Sequence, residues 1–349
     1  MISKQKMVNT LNEIKEIANL ELVLFSEDGK RLIGTFSEEN EEHISQKSKT
    51  FPISVEGDDD YCLVLYGENT ENEIIGKMAA CQVRNLILSK TEEFDRNNFI
   101  QNVLLGNMLS IDMYSKAKKL HIEPKPRVTF LIDTGSKSTD VVLELVKNLS
   151  DLKTGDFVTT IDEHSVVLVK DVTNIKEHEL EEALESIAAS LVDNLQMDAM
   201  IKVRIGYGNV IEQIPDIAQS YQEAKLALEV GKVFYAERQT ISYGRLGIGR
   251  LIYQLPMSLC DMFIKEVFGD KIPEILDDEE SMSTINKFFE NNLNISETAR
   301  QLYVHRNTLV YRLERIEKII GLDIRKFDDA MTFRIAVMVL AHVKDTKNK

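Results

Sequence analysis

Apolar residues recur near every third and fourth position at the start of the chain. Ile2, Val8, Leu11, Ile14, Ile17 and Ala18 predict an amphipathic helix over residues 2–20. The period then changes. ELVLF and RLIGTF flank Glu27-Asp28-Gly29-Lys30, and FPISV and YCLVLYG flank Gly57-Asp58-Asp59-Asp60, so two hairpins are predicted. A long helical stretch follows, from about Asn72 to Leu105. HIEPKP at 121–126 carries two of the six prolines and marks a boundary. Beyond it Arg127 opens the strand RVTFLID, and a helix runs over about 139–149. Two apolar strands surround the polar turn Asp162-Glu163-His164. An acidic helix covers about 175–194, and KVRIGYG is a strand. Pro215 starts a helix that Gly231 closes, and QTISYG is a last short strand. From Leu251 to Leu340 the pattern is helical, with breaks at Pro256, Gly269, Pro273, Asp277–Glu280, Asn291–Asn294 and Gly321. The chain shows no internal repeat and no low-complexity segment.

The order β-α-β-β-α-β-α-β is that of a ferredoxin-like sheet, here expected to carry its helices on one face. The helix–hairpin–hairpin–helix unit before it resembles a shortened PAS- or GAF-like sensor module. A chain of 349 residues exceeds one ordinary core. The expected class is therefore α+β multidomain. It divides into a sensor domain at 1–90, a helical linker at 91–122, the ferredoxin-like domain at 123–247 and an all-α domain at 248–349. Composition agrees with a globular protein, at 43% hydrophobic and 28% charged residues. The first residues lack a secretory h-region, and the purest apolar run, Ile335 to Ala341, is far short of the ~20 residues that span a bilayer. A cytoplasmic protein without membrane contact is expected. Cys62, Cys81 and Cys260 are far apart and form no CxxC, so buried thiols are expected rather than disulfides or zinc. The six histidines show no ligand spacing, so no metal site is expected.

Charge changes the picture more. The chain carries a net charge of −15, yet residues 294–349 hold eleven Lys/Arg against seven Asp/Glu, a local +4 that leaves the preceding 293 residues at −19. Contact with a polyanion is thereby confined to the C-terminal end. There, Asn294-Ile295-Ser296 starts a short helix, with Ser296 expected to cap the N–H of Ala299 and Glu297 favourable in the first turn. The helix ends near Leu302-Tyr303, and His305-Arg306-Asn307 opens a longer one. Small Ala299 allows a close crossing, and Leu302, Val304, Leu309 and Leu313 supply a shared core. This is helix-turn-helix spacing, with its core at 294–320. On the second helix Leu309, Leu313, Ile316 and Ile320 form the buried stripe, while Asn307, Tyr311, Glu314 and Lys318 face away. His305, Arg306, Asn307, Thr308, Tyr311 and Arg312 gather near its start. Those are types that reach base edges and phosphates. The bland alternative is a solvated helix face, with Arg312 and Arg315 neutralised by Glu314 and Glu317.

The stretch SETARQLYVHRNTLVYRLERIEKIIGLDI resembles the C-terminal domain of PucR/CdaR-type bacterial transcription regulators. HRNTL followed by YRL is its most specific part, and the resemblance spans about 282–342. It is also similar to the Fis-type helix-turn-helix. The resemblance implies that Ser296, Arg306, Asn307, Thr308 and Arg312 contact double-stranded DNA; Tyr311 and Arg315 either join them or pack within the domain. The middle unit resembles the degenerate GGDEF-like domain of the same family, most closely at IGYG followed by SYQEAKLAL. An active cyclase needs a Gly-Gly-Asp-Glu-Phe hairpin, because glycines let backbone approach the nucleotide and the acidic pair serves metal and chemistry. The equivalent turn reads Ile161-Asp162-Glu163-His164-Ser165 without a glycine, and Thr134-Gly135-Ser136 follows Asp133 in place of the usual Phe-Lys. No catalysis and no cofactor are expected. GRLGIG at 244–249 lacks the setting of a phosphate loop and is expected to be a flexible exit from the domain.

The resemblance implies a small-molecule effector such as a sugar diacid or a purine-breakdown product, sensed at the N-terminus. Lys30 and Arg31 beside the first turn suit either a carboxylate or plain solvent, and no ligand site is assigned. A homodimer is expected, because one recognition helix covers only a half-site. The helix over 72–105 is the expected contact, and the effector would act by shifting the spacing of the two recognition helices. Two rivals remain: a nucleotide-binding or cyclase-like enzyme using Asp133, Asp162 and Glu163, and an interaction module that binds no DNA.

Overall fold

The amphipathic start forms helix α1, Lys4–Ala18, which buries Met7 and Leu11 fully and Val8, Ile14 and Ala18 in part. Ile17 does not join them and is 88% exposed. It stands about 120° from Leu11 around the helix, outside the packed arc. The computed structural model describes residues 4–37, 48–55, 60–67, 72–135, 139–150 and 155–347; Ile2, Gly57-Asp58-Asp59 of the second turn, and Ser136 lie outside them. Strands β1 (Glu21–Ser26), β2 (Arg31–Gly34), β3 (Ser48–Ile53) and β4 (Tyr61–Tyr66) make an antiparallel sheet in the order β2-β1-β4-β3. Helix α2, Asn72–Leu104, presses Ala79, Ala80, Val83 and Ile87 into the core shared with Leu22, Leu24, Leu63 and Leu65. Arg31 is held within the hairpin region, its guanidinium donating to the Phe36 carbonyl. Helix α3 is Ser110–Lys119. Contacts divide the chain into one unit of residues 1–102 with 114–122 and a second of 103–113 with 123–349.

Within the second unit, β5 (Arg127–Asp133), β6 (Phe157–Asp162), β7 (Ser165–Asp171), β8 (Arg204–Tyr207) and β9 (Thr240–Ser242) form a sheet ordered β6-β7-β5-β8-β9. The first four are antiparallel in ferredoxin-like order, and β9 adds a parallel edge beside β8. Val128, Phe130 and Ile132 of β5 pack with α4 (Thr139–Leu149) and α5 (Leu180–Ala199). The third helix, α6 (Ile217–Phe234), lies on the opposite face. There the alternate residues Gly206 and Gly208 of the IGYG stretch meet it so closely that a Cβ would come within 2.4 Å of the Ala224 carbonyl oxygen and 2.2 Å of that of Ser220. The expectation of one helical face is thus corrected: those glycines clear a seat for α6. Ser220 Oγ accepts the Thr129 N–H at 3.0 Å and donates to the Asn209 carbonyl at 2.8 Å, while Glu223 Oε2 accepts the Asn209 N–H at 2.8 Å. The SYQEA run therefore locks the helix to the backbone of β5 and the end of β8. Gly231 does not end α6, which continues to Phe234 with that glycine facing Ile241.

The C-terminal helices are α7 (Ile248–Tyr253), α8 (Met257–Phe268), α9 (Glu279–Glu290), α10 (Ile295–Gln301), α11 (Arg306–Ile320) and α12 (Phe327–Lys347). GRLGIG is not a flexible exit: it forms a 3-10 turn at Tyr243–Arg245 and the start of α7, with Arg245 paired to Glu181 and Glu185 at 2.6 Å each. Helix α12 joins two cores, giving Ala330 and Phe333 to the α9–α11 cluster and Val339, Leu340 and Val343 to the cluster of α7 and α8. Of the cysteines, Cys260 is buried, Cys62 partly so, and Cys81 exposed, against the expectation of three buried thiols. Burial pushes the Cys62 and Cys260 thiols up. Among the described residues no helix is long and apolar enough to cross a membrane.

Candidate nucleic-acid interface

Asn294, rather than Ser296, caps α10. Its Oδ1 accepts the Glu297 N–H at 3.1 Å, and Ser296 stands exposed inside the first turn. The signal was in the sequence, since Asn294 precedes Glu297 by three, the capping-box interval. The Glu297 carboxylate turns instead to Arg300 and Gln301. Asn294→Ala should cost about 1 kcal/mol of domain stability, read from chemical denaturation. Ser296→Ala should cost less than about 0.5 kcal/mol.

Thr298 and Ala299 are buried under the second helix, and Leu302 and Val304 fill the turn. Tyr303 there has φ 54° and is 96% exposed, a surface group that spacing alone did not single out. His305 caps α11, its Nδ1 accepting the Asn307 N–H at 3.3 Å. A neutral ring then carries its proton on Nε2, an outward donor at the helix start. Leu309, Leu313, Ile316 and Ile320 are buried along one stripe, as their spacing requires.

The basic residues of this region separate into two groups. Arg300 pairs with Glu297, Arg312 with Glu280 of α9 at 2.6 Å, and Arg325 with Asp323, Glu317 and Glu314. Arg312 also reaches Thr284 Oγ1 at 3.4 Å, so it staples α11 to α9 and is half-buried. By contrast the side chains of Ser296, Arg306, Asn307, Thr308, Tyr311, Arg315 and Lys318 are exposed and make no hydrogen bond or salt bridge among the described residues. Arg315 lies near Asp278, whose carboxyl is held below its usual range first by hydrogen bonds from Ser281 and also by the Arg315 charge. Glu314 and Glu317 are taken by Arg325, so they do not neutralise Arg315. The free side chains of Arg306, Asn307, Thr308 and Tyr311 thus collect on the N-terminal half of α11, where the helix dipole also favours phosphate.

Gly321, at φ 81°, ends α11, and Asp323 and Arg325 fix the corner to α12. The Arg325 guanidinium on Asp323 holds that carboxyl below the usual carboxylate range. A lowered folded-state pKa means this stabilisation is full above the unfolded value of about 4 and is lost as pH falls through the folded one. Asp323→Asn should flatten the fall of stability with acid below about pH 4, measured by thermal unfolding across pH.

Residues 282–339, which hold this geometry, match the sequence profile of the PucR C-terminal helix-turn-helix domain, and residues 106–230 match that of the GGDEF-like domain. The Carbohydrate diacid regulator of Escherichia coli (strain K12) is 23% identical over 319 residues, covering 85% of this chain and 80% of that one. The Purine catabolism regulatory protein of Bacillus subtilis (strain 168) is 28% identical over 144 residues, 41% of this chain but only 27% of the relative. The chain belongs to the PucR/CdaR-type regulators. A further relative, the DNA-binding transcriptional activator AdeR of Bacillus subtilis (strain 168), is 24% identical over 274 residues, 75% of this chain and 64% of that one.

In this PucR/CdaR-type chain two of the three acidic candidates of the GGDEF-like domain, Asp133 and Asp162, are engaged by the fold, and Glu163 is exposed. Asp133 Oδ2 meets Lys232 Nζ at 2.5 Å and Oδ1 accepts the Gly135 N–H at 3.0 Å. Partial burial raises its carboxyl, and Lys232 with the Gly135 amide more than offsets this, holding it below the usual range. Asp162 Oδ1 accepts the His164 N–H at 2.8 Å and the Ser165 hydroxyl at 2.7 Å, closing the tight turn at Glu163-His164. Among the described residues no three His, Cys, Asp or Glu side chains converge on a point where a metal ion would sit.

Proposed function

We propose that this chain is a cytoplasmic, sequence-specific DNA-binding transcription regulator that reads its operator with the N-terminal half of α11. One observation carries the reading: the side chains of Arg306, Asn307, Thr308 and Tyr311 at that helix start are exposed and, among the described residues, make no hydrogen bond or ion pair, while Arg300, Arg312 and Arg325 in the same region are tied to carboxylates. Arg306 and Asn307 read base edges; Ser296, His305, Thr308, Tyr311 and Arg315 hold phosphates. Arg312 contributes mainly by holding α11 on α9. The protein acts as a homodimer on two half-sites. The N-terminal unit, an antiparallel sheet flanked by α1 and α2, serves as a PAS/GAF-like sensor for a small metabolite such as a sugar diacid, in line with the name of the relative matched over most of its length. We place domain limits at 90, 122 and 247, with α2 running on across the first of them. The GGDEF-like domain is a scaffold without catalysis, with Asp133 paired to Lys232 and Asp162 turned into its own hairpin.

Selection of bound sequences from random DNA pools by the full-length protein, at two salt concentrations, tests this. A palindromic motif retained at the higher salt is expected. Recovery of no motif, with binding that salt abolishes, would leave only charge contacts and overturn the reading.

A further inference from the structure

Helix α2 has two apolar faces. One is packed into its own unit through Ala79, Ala80, Val83 and Ile87. The other is exposed: Ile74, Met78 and Leu88 are 63%, 67% and 38% accessible, and Cys81 and Asn85 share that face. These five residues follow spacings of four, three, four and three. They fall within an arc of about 80° at 100° per residue, opposite the packed residues. A 4-3 alternation is the interval at which one helix meets another wound around it, with Ile74, Cys81 and Leu88 as d positions and Met78 and Asn85 as a positions.

We infer that this stripe pairs with the same stripe of a second copy of the chain, the two α2 helices running parallel. The inference rests on the dimeric regulator reading and assigns its contact. Three features select a second copy over another occupant. A heptad seam is self-complementary, so one sequence supplies both sides of a two-fold contact. The single polar a residue, Asn85, is the type that pairs with itself across a parallel two-stranded seam and sets its register. Unpaired, it donates only weakly to Cys81 Sγ at 3.9 Å. The flanking charges decide direction. In a parallel pair Lys77 faces Gln82 of the second copy, and Arg84 meets neither Lys77 nor Arg84 there, so these like charges stay apart. An antiparallel pair instead sets Lys77 against Arg84, or Arg84 against itself, and Glu73 offsets only the Lys77 charge.

The test uses the full-length protein. Sedimentation of wild type should show a dimer at micromolar concentration, and Met78→Glu with Leu88→Glu should weaken it by about 100-fold or more, because each copy would bury unpaired carboxylates. Both sites are exposed, so thermal unfolding of the monomeric unit should be retained. Mild oxidation should link the Cys62→Ser/Cys260→Ser protein through Cys81 and leave the additional Cys81→Ser variant unlinked. Leu88→Cys in that cysteine-free background links only if the helices are parallel. A dimer undiminished by the glutamate pair and unlinked at Cys81 overturns the inference while leaving the regulator reading intact. Linkage at Cys81 without linkage at Leu88→Cys overturns the parallel direction. If the wild type selects no DNA motif yet links as expected, the regulator reading fails and the seam stands.

Discussion

Replacing Arg306 and Asn307 together with alanine is expected to abolish recovery of any sequence motif from random DNA while leaving a folded, salt-sensitive DNA binder. A well-placed bidentate contact to a base is worth about 1–3 kcal/mol of discrimination, so the pair accounts for about 2–6 kcal/mol, or roughly 30-fold to 10⁴-fold in specificity. Neither side chain has a protein partner among the described residues, so stability should change by less than about 0.5 kcal/mol. Arg315→Ala offers the contrast. Removing a phosphate-binding guanidinium at that position lowers affinity for all sequences alike and reduces the salt slope by about 1. Arg312→Ala should behave differently from both: it removes the partner of Glu280 and Thr284, so it should lower thermal stability as well as affinity. Retention of the motif by the Arg306/Asn307 double variant would move base reading elsewhere on the chain.

The GGDEF-like domain should be the most sensitive part of the chain to a single methyl group. Gly208→Ala places a Cβ 2.2 Å from the Ser220 carbonyl oxygen and 2.8 Å from its hydroxyl. Backbone, not a flexible side chain, stands in the way, so α6 must lift from the sheet. Lifting it breaks the Ser220 bonds to Thr129 and Asn209 and the Glu223 bond to Asn209. Overpacking of this kind costs about 3 kcal/mol or more, which for a unit of this size lowers the melting temperature by about 10 °C. Differential scanning calorimetry would show it, with Gly244→Ala as control, since the nearest atoms to its added Cβ lie at 3.7 Å. An unshifted Gly208→Ala transition would mean that the glycine is there for another reason than the seat of α6.

Much of this was legible along the chain. The alternation of RVTFLID and the 3-4 spacing of Leu309, Leu313, Ile316 and Ile320 determine strand and helix because those periods are properties of the backbone itself. The same local rule placed His305 and Arg306 at a helix start, and the Lys/Arg excess after residue 294 located the polyanion-facing end of an acidic protein. What the tertiary structure alone decided concerns partners far apart in sequence. Helix α6 covers the second sheet face because Gly206 and Gly208 remove the side chains that would keep it off, a fact about two elements rather than one period. Arg312 is withdrawn to Glu280, and Arg325 takes Glu314 and Glu317, thereby leaving Arg315 without an ion pair among the described residues. The charges in question are up to 32 positions apart in the chain yet within 4 Å in space. Periodicity says which way a side chain points; only the fold says what it finds there.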